Sequence, residues 1–292
     1  MIPITSKDSR NKRESESSEA RAAHIPRFNL PGVPIFNYHG LTEFLSQNVP
    51  QNTAQYWLSP IKFHSHLVHI RDQGFHTVLL HDLTDRTIDH ARKLRTVVLT
   101  FDDGLVSDYE VAFRLLTESG MKAVFFLNTA TLGQEGYLNW NQIVEMEQYG
   151  MSIQSHSRSH VDLTVLPTPA LDAELSESKC RLEDRLGTRV DFLAAPRGLL
   201  DRRVVRRALA LGYRAVCSAR CLPAKPGSKT FTRITLDRDV TIKEFNGYLN
   251  CELSPYARRL SRGLLHGAMS IPGHLCQVLR CRLLKQPATA SR

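Results

Sequence analysis

The chain has 292 residues, 42% hydrophobic and 23% charged, a globular composition with room for one large domain and tails. Its formal charge of +9 raises the question of anionic partners, but no zinc-finger or RNA-binding signature accompanies the arginines, so nucleic acid is not an expected partner. No run of about 18 apolar residues is present and the start is polar, which excludes a spanning helix and a secretory signal and leaves a cytoplasmic location as the expectation.

Residues 1–28 are rich in Ser, Glu, Lys and Arg and read as a disordered polar leader. A catalytic domain is expected over 29–253. It opens with Val33-Pro34-Ile35-Phe36-Asn37-Tyr38-His39-Gly40, a short strand with a polar tip, followed by a loop from Leu41 to Tyr56. Ser59-Pro60 then starts a helix, because serine can cap it and proline suits the first helical position. Thr77-Val78-Leu79-Leu80 reads as a strand, and Thr96-Val97-Val98-Leu99 as one buried on both faces. From there the pattern alternates: a helix from Val106 to Glu118, a strand at Ala123–Leu127, a helix from Trp140, a strand at Ser152–Ser155, a helix from Pro169 to Leu186, a strand at Val190–Ala194, a helix from Asp201 to Leu211, then strands at Arg214–Cys217 and Thr232–Leu236. Such a series implies parallel strands with helices outside them. Residues 254–292 form a basic amphipathic tail that could lie on a membrane surface. The six cysteines, Cys180, Cys217, Cys221, Cys251, Cys276 and Cys281, lack a paired Cys-x-x-Cys framework and read as reduced thiols, mostly buried.

Two clusters carry chemistry. Thr100-Phe101-Asp102-Asp103-Gly104 sets adjacent carboxylates at the carboxyl end of a strand, the edge where α/β folds gather reactive groups. One carboxylate can hold a metal while its neighbour, on the opposite side of the strand, stays free as a base. His156-Ser157-Arg158-Ser159-His160 follows another strand, and histidines at this spacing converge on one ion if the segment turns helically. With Asp103 they make an Asp-His-His facial set with positions left open.

These two motifs resemble the first two of the polysaccharide deacetylase family, the NodB-homology enzymes of carbohydrate esterase family 4, over roughly residues 33–250. The resemblance implies a distorted (β/α) barrel in which Asp103, His156 and His160 bind a divalent metal, most often zinc, and Asp102 is the general base. It further implies hydrolysis of N-acetyl groups from an N-acetylated glycan, the alternatives being a non-sugar amide as substrate of the same site or a catalytically silent glycan-binding or membrane-associated barrel. The opening Tyr38-His39 looks like the permuted poly-N-acetylglucosamine deacetylase branch, in which the general acid comes early. His39 is therefore the first candidate for that acid. His81, in Leu79-Leu80-His81, and His266, in Leu264-Leu265-His266, compete because the common family pattern is a late Leu-x-His.

Two departures stand out. The third family motif is usually Arg-x-Pro-Tyr, and its match here is Ala194-Ala195-Pro196-Arg197-Gly198. Pro196 and the backbone N–H at Arg197 are candidates for holding an oxyanion, but the arginine that would hold the base is missing at Ala194. Arg197 could replace it or bind an acidic substrate group. The fourth motif has only a weak candidate in Asp237-Arg238-Asp239.

Overall fold

The structure, a computed structural model, describes residues 29–43, 54–85 and 95–265. Its centre is a nearly closed barrel of eight parallel strands, matching the expected (β/α) barrel. The strands are β1 (Ile35–Tyr38), β3 (Thr96–Asp103), β4 (Val124–Leu127), β5 (Ser152–Ser155), β6 (Phe192–Ala194), β7 (Ala215–Ser218), β8 (Thr230–Thr232) and β9 (Ile234–Thr235), in the order β8-β7-β6-β5-β4-β3-β1-β9. A short β2 (His76–Thr77) pairs only with the start of β3. β8 and β9 are one stretch of chain with two edges: Thr230–Thr232 pair with β7 and Ile234–Thr235 with β1. Residue 233 therefore sits at the seam.

Alternation along each strand sorts side chains into two cores. Ile35, Val98, Val124, Phe126, Phe192, Cys217 and Phe231 fill the barrel interior, while Phe36, Val97, Leu99, Phe125, Ile153 and Val216 pack outward against helices. This double burial explains why the Thr96–Leu99 run is continuously apolar. A fully buried Phe126 or Phe231 contributes about 1.5–3 kcal/mol relative to exposure.

The helices are α1 (Pro60–Asp72), α2 (Leu80–Asp85), α3 (Arg114–Glu118, entered through a wider π turn at Asp108–Phe113), α4 (Trp140–Gln148), α5 (Thr168–Leu186), α6 (Arg202–Ala210), α7 (Ile242–Leu249) and α8 (Leu253–Leu265). Their starts follow local chemistry. Ser59 caps α1 by accepting from the Lys62 N–H, Asn139 and Gln142 form a reciprocal capping box on α4, and Asp201 caps α6 by accepting from Val204 N–H at 2.7 Å.

The expected strand at Thr77–Leu80 is corrected: strand pairing stops at Thr77 and α2 begins at Leu80. The Asp82 carboxylate accepts from the Leu79 N–H, and Leu80 and Leu83, three residues apart, enter the interior core together. α2 thereby plugs the end of the barrel at which the strands begin. Among the described cysteines, Cys217, Cys221 and Cys251 are buried and Cys180 is exposed, all as free thiols. The leader, most of the tail, His266, Cys276 and Cys281 lie outside the described residues.

Candidate active site

The interior core turns polar toward the carboxyl ends of the strands. Asn37 on β1, Thr100 and Asp102 on β3, and Arg233 at the seam occupy inward positions one layer above the apolar plug, all buried. A cavity of about 580 Å³ opens onto them, lined also by His39, Asp103, His156, His160 and Arg197.

Arg233 is the centre of this layer. Its Nη1 donates to Asp102 Oδ1 at 2.7 Å and its Nη2 to Oδ2 at 2.8 Å, while Asn37 Nδ2 donates to Oδ2 at 3.0 Å. Nη1 also reaches Asn37 Oδ1 and Thr100 Oγ1, and the guanidinium stacks over Phe126 at 5.1 Å. Burial pushes the Asp102 pKa up, but the Arg233 guanidinium, and then His156, outweigh it and hold this carboxyl well below the usual carboxylate range. Three hydrogen bonds use three of its roughly four lone-pair positions, leaving one on Oδ1.

Asp103 follows on the same strand but turns away, with φ of 81°. A left-handed conformation costs a non-glycine residue about 1–2 kcal/mol, and here it swings the carboxylate toward the histidines. Its Oδ1 lies 3.5 Å from His156 Nε2 and 3.3 Å from His160 Nε2, and one ligand atom from each of the three lies within 4.8 Å of the others. The segment carrying the histidines does not turn helically, as the sequence led one to expect. Ser157 and His160 are left-handed, at φ of 65° and 57°. The resulting bend is held from below by Glu174 on α5, which accepts from the N–H groups of Arg158 and Ser159 at 3.0 and 2.9 Å and from the Ser159 hydroxyl.

The donor set fits a divalent cation. His156 Nδ1 lies 2.8 Å from the Ala194 carbonyl, which can only accept, so the proton sits on Nδ1 and Nε2 keeps its lone pair for an ion. Burial lowers the His156 pKa, but the Asp102 and Asp103 carboxylates more than restore it; for His160, burial and the neighbouring His156 hold it below the ordinary value. Asp103 is held down by His156 against the effect of burial.

The three histidines considered for the general acid separate in space. His39 leaves the end of β1 into the cavity, stacked on Tyr56 with ring centroids 5.3 Å apart, its Nδ1 enclosed and without a partner among the described residues. Burial lowers its pKa, opposed by Asp102 and Asp103. His81 belongs to α2, where its Nε2 meets Asp191 at 3.1 Å beside the start of β6, the far end of the barrel. His266 is outside the described residues.

Of the 194–198 loop, Arg197 and Gly198 line the cavity. Pro196 is buried, and Arg197 is exposed on the cavity wall with φ of 57°. Arg197 makes no contact with Asp102, so it does not replace the missing arginine; Arg233 holds that carboxylate from a different strand. In the weak fourth-motif candidate, Asp237 faces Arg259 at 3.4 Å, and Arg238 donates to the Ala54 carbonyl at 2.7 Å. Neither lines the cavity. Sequence reasoning missed Arg233, Asn37 and the cavity residues Tyr56, Trp57, Asn128 and Tyr137. For Arg233 a signal existed: a lone charge inside the alternating run Thr230-Phe231-Thr232-Arg233-Ile234-Thr235.

Comparison with known proteins bears on the family and the fold. Residues 89–216 match the polysaccharide deacetylase family. The chain is 28% identical over 182 residues to YxkH of Bacillus subtilis (strain 168), covering 62% of each, so it spans somewhat less than two thirds of that relative. In solved structures, the deacetylase PplD of Streptococcus pyogenes in complex with acetate superposes with a TM-score of 0.66 at 24% identity, over 76% of this chain and 99% of that one. IcaB of Ammonifex degensii gives 0.65 at 22% identity, over 76% and 97%. At these identities the superpositions speak for the fold.

Proposed function

Because the chain belongs to the polysaccharide deacetylase family, we propose that it is a metal-dependent amide hydrolase that removes N-acetyl groups from N-acetylhexosamine residues of a polysaccharide, oligosaccharide or glycan precursor, releasing acetate. The observation that carries the reading is one cavity bringing together a buried, ionised carboxylate at Asp102 and a separate Asp-His-His set.

Asp103, His156 and His160 would hold the cation, zinc by the nature of the donors. When bound, it would supply Lewis acidity toward an amide carbonyl and a water molecule. Asp102 then accepts the water's proton on the free position of Oδ1, while Arg233 and Asn37 fix the plane of its carboxylate. His39, on the other wall, delivers a proton to the leaving amine nitrogen. The Arg197 N–H, on the loop shaped by Pro196 and Gly198, is suited to the oxyanion of the tetrahedral intermediate. Tyr56, Trp57 and Tyr137 offer ring faces for a sugar.

A catalytically silent barrel is the competing reading, motivated by the altered third motif. Arg233 weakens it, because the contact that motif would supply is made from the seam. No helix of the described residues is long and apolar enough to cross a membrane; a peripheral place at the cytoplasmic face is supported only by the charge of the tail. Fractionation of the full chain and of a chain lacking residues 254–292 tests it.

Acetate release from chito-oligosaccharides and poly-N-acetylglucosamine tests the main reading. Activity that requires the cation and disappears in Asp102→Asn is the expected result. A folded, zinc-loaded protein inactive on every such substrate would overturn it.

A further inference from the structure

The arginines that crowd residues 197–220 divide into two groups. Arg203 donates to the carbonyls of Leu163, Thr164 and Leu166, Arg207 makes a two-pronged pair with Asp172, and Arg214 pairs with Asp85. Their charges are spent on the fold. Arg202, Arg206 and Arg220 are exposed and make no side-chain hydrogen bond or ion pair among the described residues. All three line one groove of about 880 Å³ between α6 and the β7–β8 wall, where Leu200, Val205 and Leu209 give an apolar floor. The carboxylate in that groove, Asp201, is already committed to capping α6.

This groove adjoins the active site. Sequence neighbours line the two cavities: Gly198 and Ala219 the first, Leu200, Ser218 and Arg220 the second. A Cβ on Gly198 would stand 2.2 Å from the Ala219 Cβ, and its φ of 68° is left-handed, so glycine alone allows the two loops to close this tightly. Arg197, exposed on the active-site side, stands next to the crossing.

We propose that the groove binds an anionic group, phosphate or carboxylate, carried by the same glycan whose acetamide enters the active site. Three guanidinium groups without protein partners form charge-assisted, fork-like hydrogen bonds with such oxyanions. The apolar floor suits the C–H faces of sugar rings. The groove's nearness to the catalytic cavity, through the neighbouring residues 197–200 and 218–220, favours the substrate chain over a flat lipid surface.

The inference rests on the deacetylase reading, and two assays keep their failures apart. The first measures kcat/KM for a neutral chito-oligosaccharide, for the same oligosaccharide bearing a phosphate and for one bearing a uronate. An anionic form is expected to be preferred about tenfold or more, the preference shrinking as salt rises. Arg202→Gln/Arg206→Gln/Arg220→Gln should bring the ratio to about one. The second uses zinc-loaded Asp102→Asn protein and titrates the same oligosaccharides and inorganic phosphate by calorimetry, so that the groove is tested even if no acetate is released. Tighter binding of one anionic oligosaccharide, lost in the triple variant and absent for inorganic phosphate, supports the inference and tells phosphate from uronate. Equal affinity for neutral and anionic chains, or an unchanged preference in a triple variant that melts like the parent, overturns it. Arginine-dependent binding to vesicles containing anionic lipid, without preference among the oligosaccharides, would also overturn it and assign the groove to a membrane.

Discussion

Arg233 grips Asp102 with both arms of its guanidinium, at 2.7 and 2.8 Å, and neither side chain is more than 4% exposed. Removing one partner of such a pair leaves a buried charge without compensation, at a cost of about 3–5 kcal/mol. Arg233→Gln should therefore melt well below the parent. It should also release the Asp102 pKa upward, because burial then acts with less opposition. Since the base must be ionised, the acidic limb of kcat/KM moves to higher pH; Arg233→Lys, which keeps charge but not the fork, should fall between. Thermal melts and a pH–rate profile for acetate release check both effects, and an unmoved acidic limb would count against Arg233 as the residue that positions the base.

In the proposed mechanism, metal binding and base action fall to different residues. Asp103→Ala and His160→Ala should lose bound zinc, measured by elemental analysis after dialysis, together with activity. Asp102→Asn should keep about one ion per chain while kcat drops about 10²–10⁴-fold. Chelation should lower the parent's melting temperature, since at 100-fold excess over Kd a bound ion contributes about 2.7 kcal/mol, and should leave Asp103→Ala unchanged.

As the proposed general acid, His39 must carry its proton to protonate the amine, so kcat/KM should fall as pH rises through its pKa. Burial places that fall on the acid side of an ordinary histidine. His39→Gln should lower kcat about 10²–10⁴-fold, retain zinc and lose the basic limb. His81→Gln, at the other end of the barrel, should leave the pH profile as it was.

Asp108, at the start of the π turn, is fully buried, and neither carboxyl oxygen has a hydrogen-bond partner among the described residues. Burial, helped by Asp103, raises its pKa well above the usual range, which favours the neutral acid in the folded chain. The unfolded chain ionises near 3.9 and holds fewer protons above that pH, so this group makes stability decline as pH rises. Asp108→Asn, neutral at every pH, should melt higher than the parent at pH 7–8, with the gap closing toward pH 4. Calorimetry across that range decides it, and a gap independent of pH would refute a protonated Asp108.

Much of this protein is legible in one dimension. The continuous apolar run at Thr96–Leu99 and the regular strand–helix alternation suffice for parallel strands with helices outside them, because double burial and crossover connections leave local, periodic marks; the barrel was implied by the family resemblance. Asp102, Asp103, His156 and His160 are equally legible, each pair being adjacent or close along the chain at a strand's carboxyl end. The tertiary structure alone decided the rest. Which histidine faces the carboxylates depends on which end of the barrel each strand or helix presents, and that separates His39 from His81. Arg233 lies 131 residues from Asp102 in sequence, and they meet only because the seam strand pairs with β7 on one edge and β1 on the other. Local propensity cannot encode such a contact; it exists once the sheet closes, and closure also carries the unpaired arginines of α6 to the edge of the site.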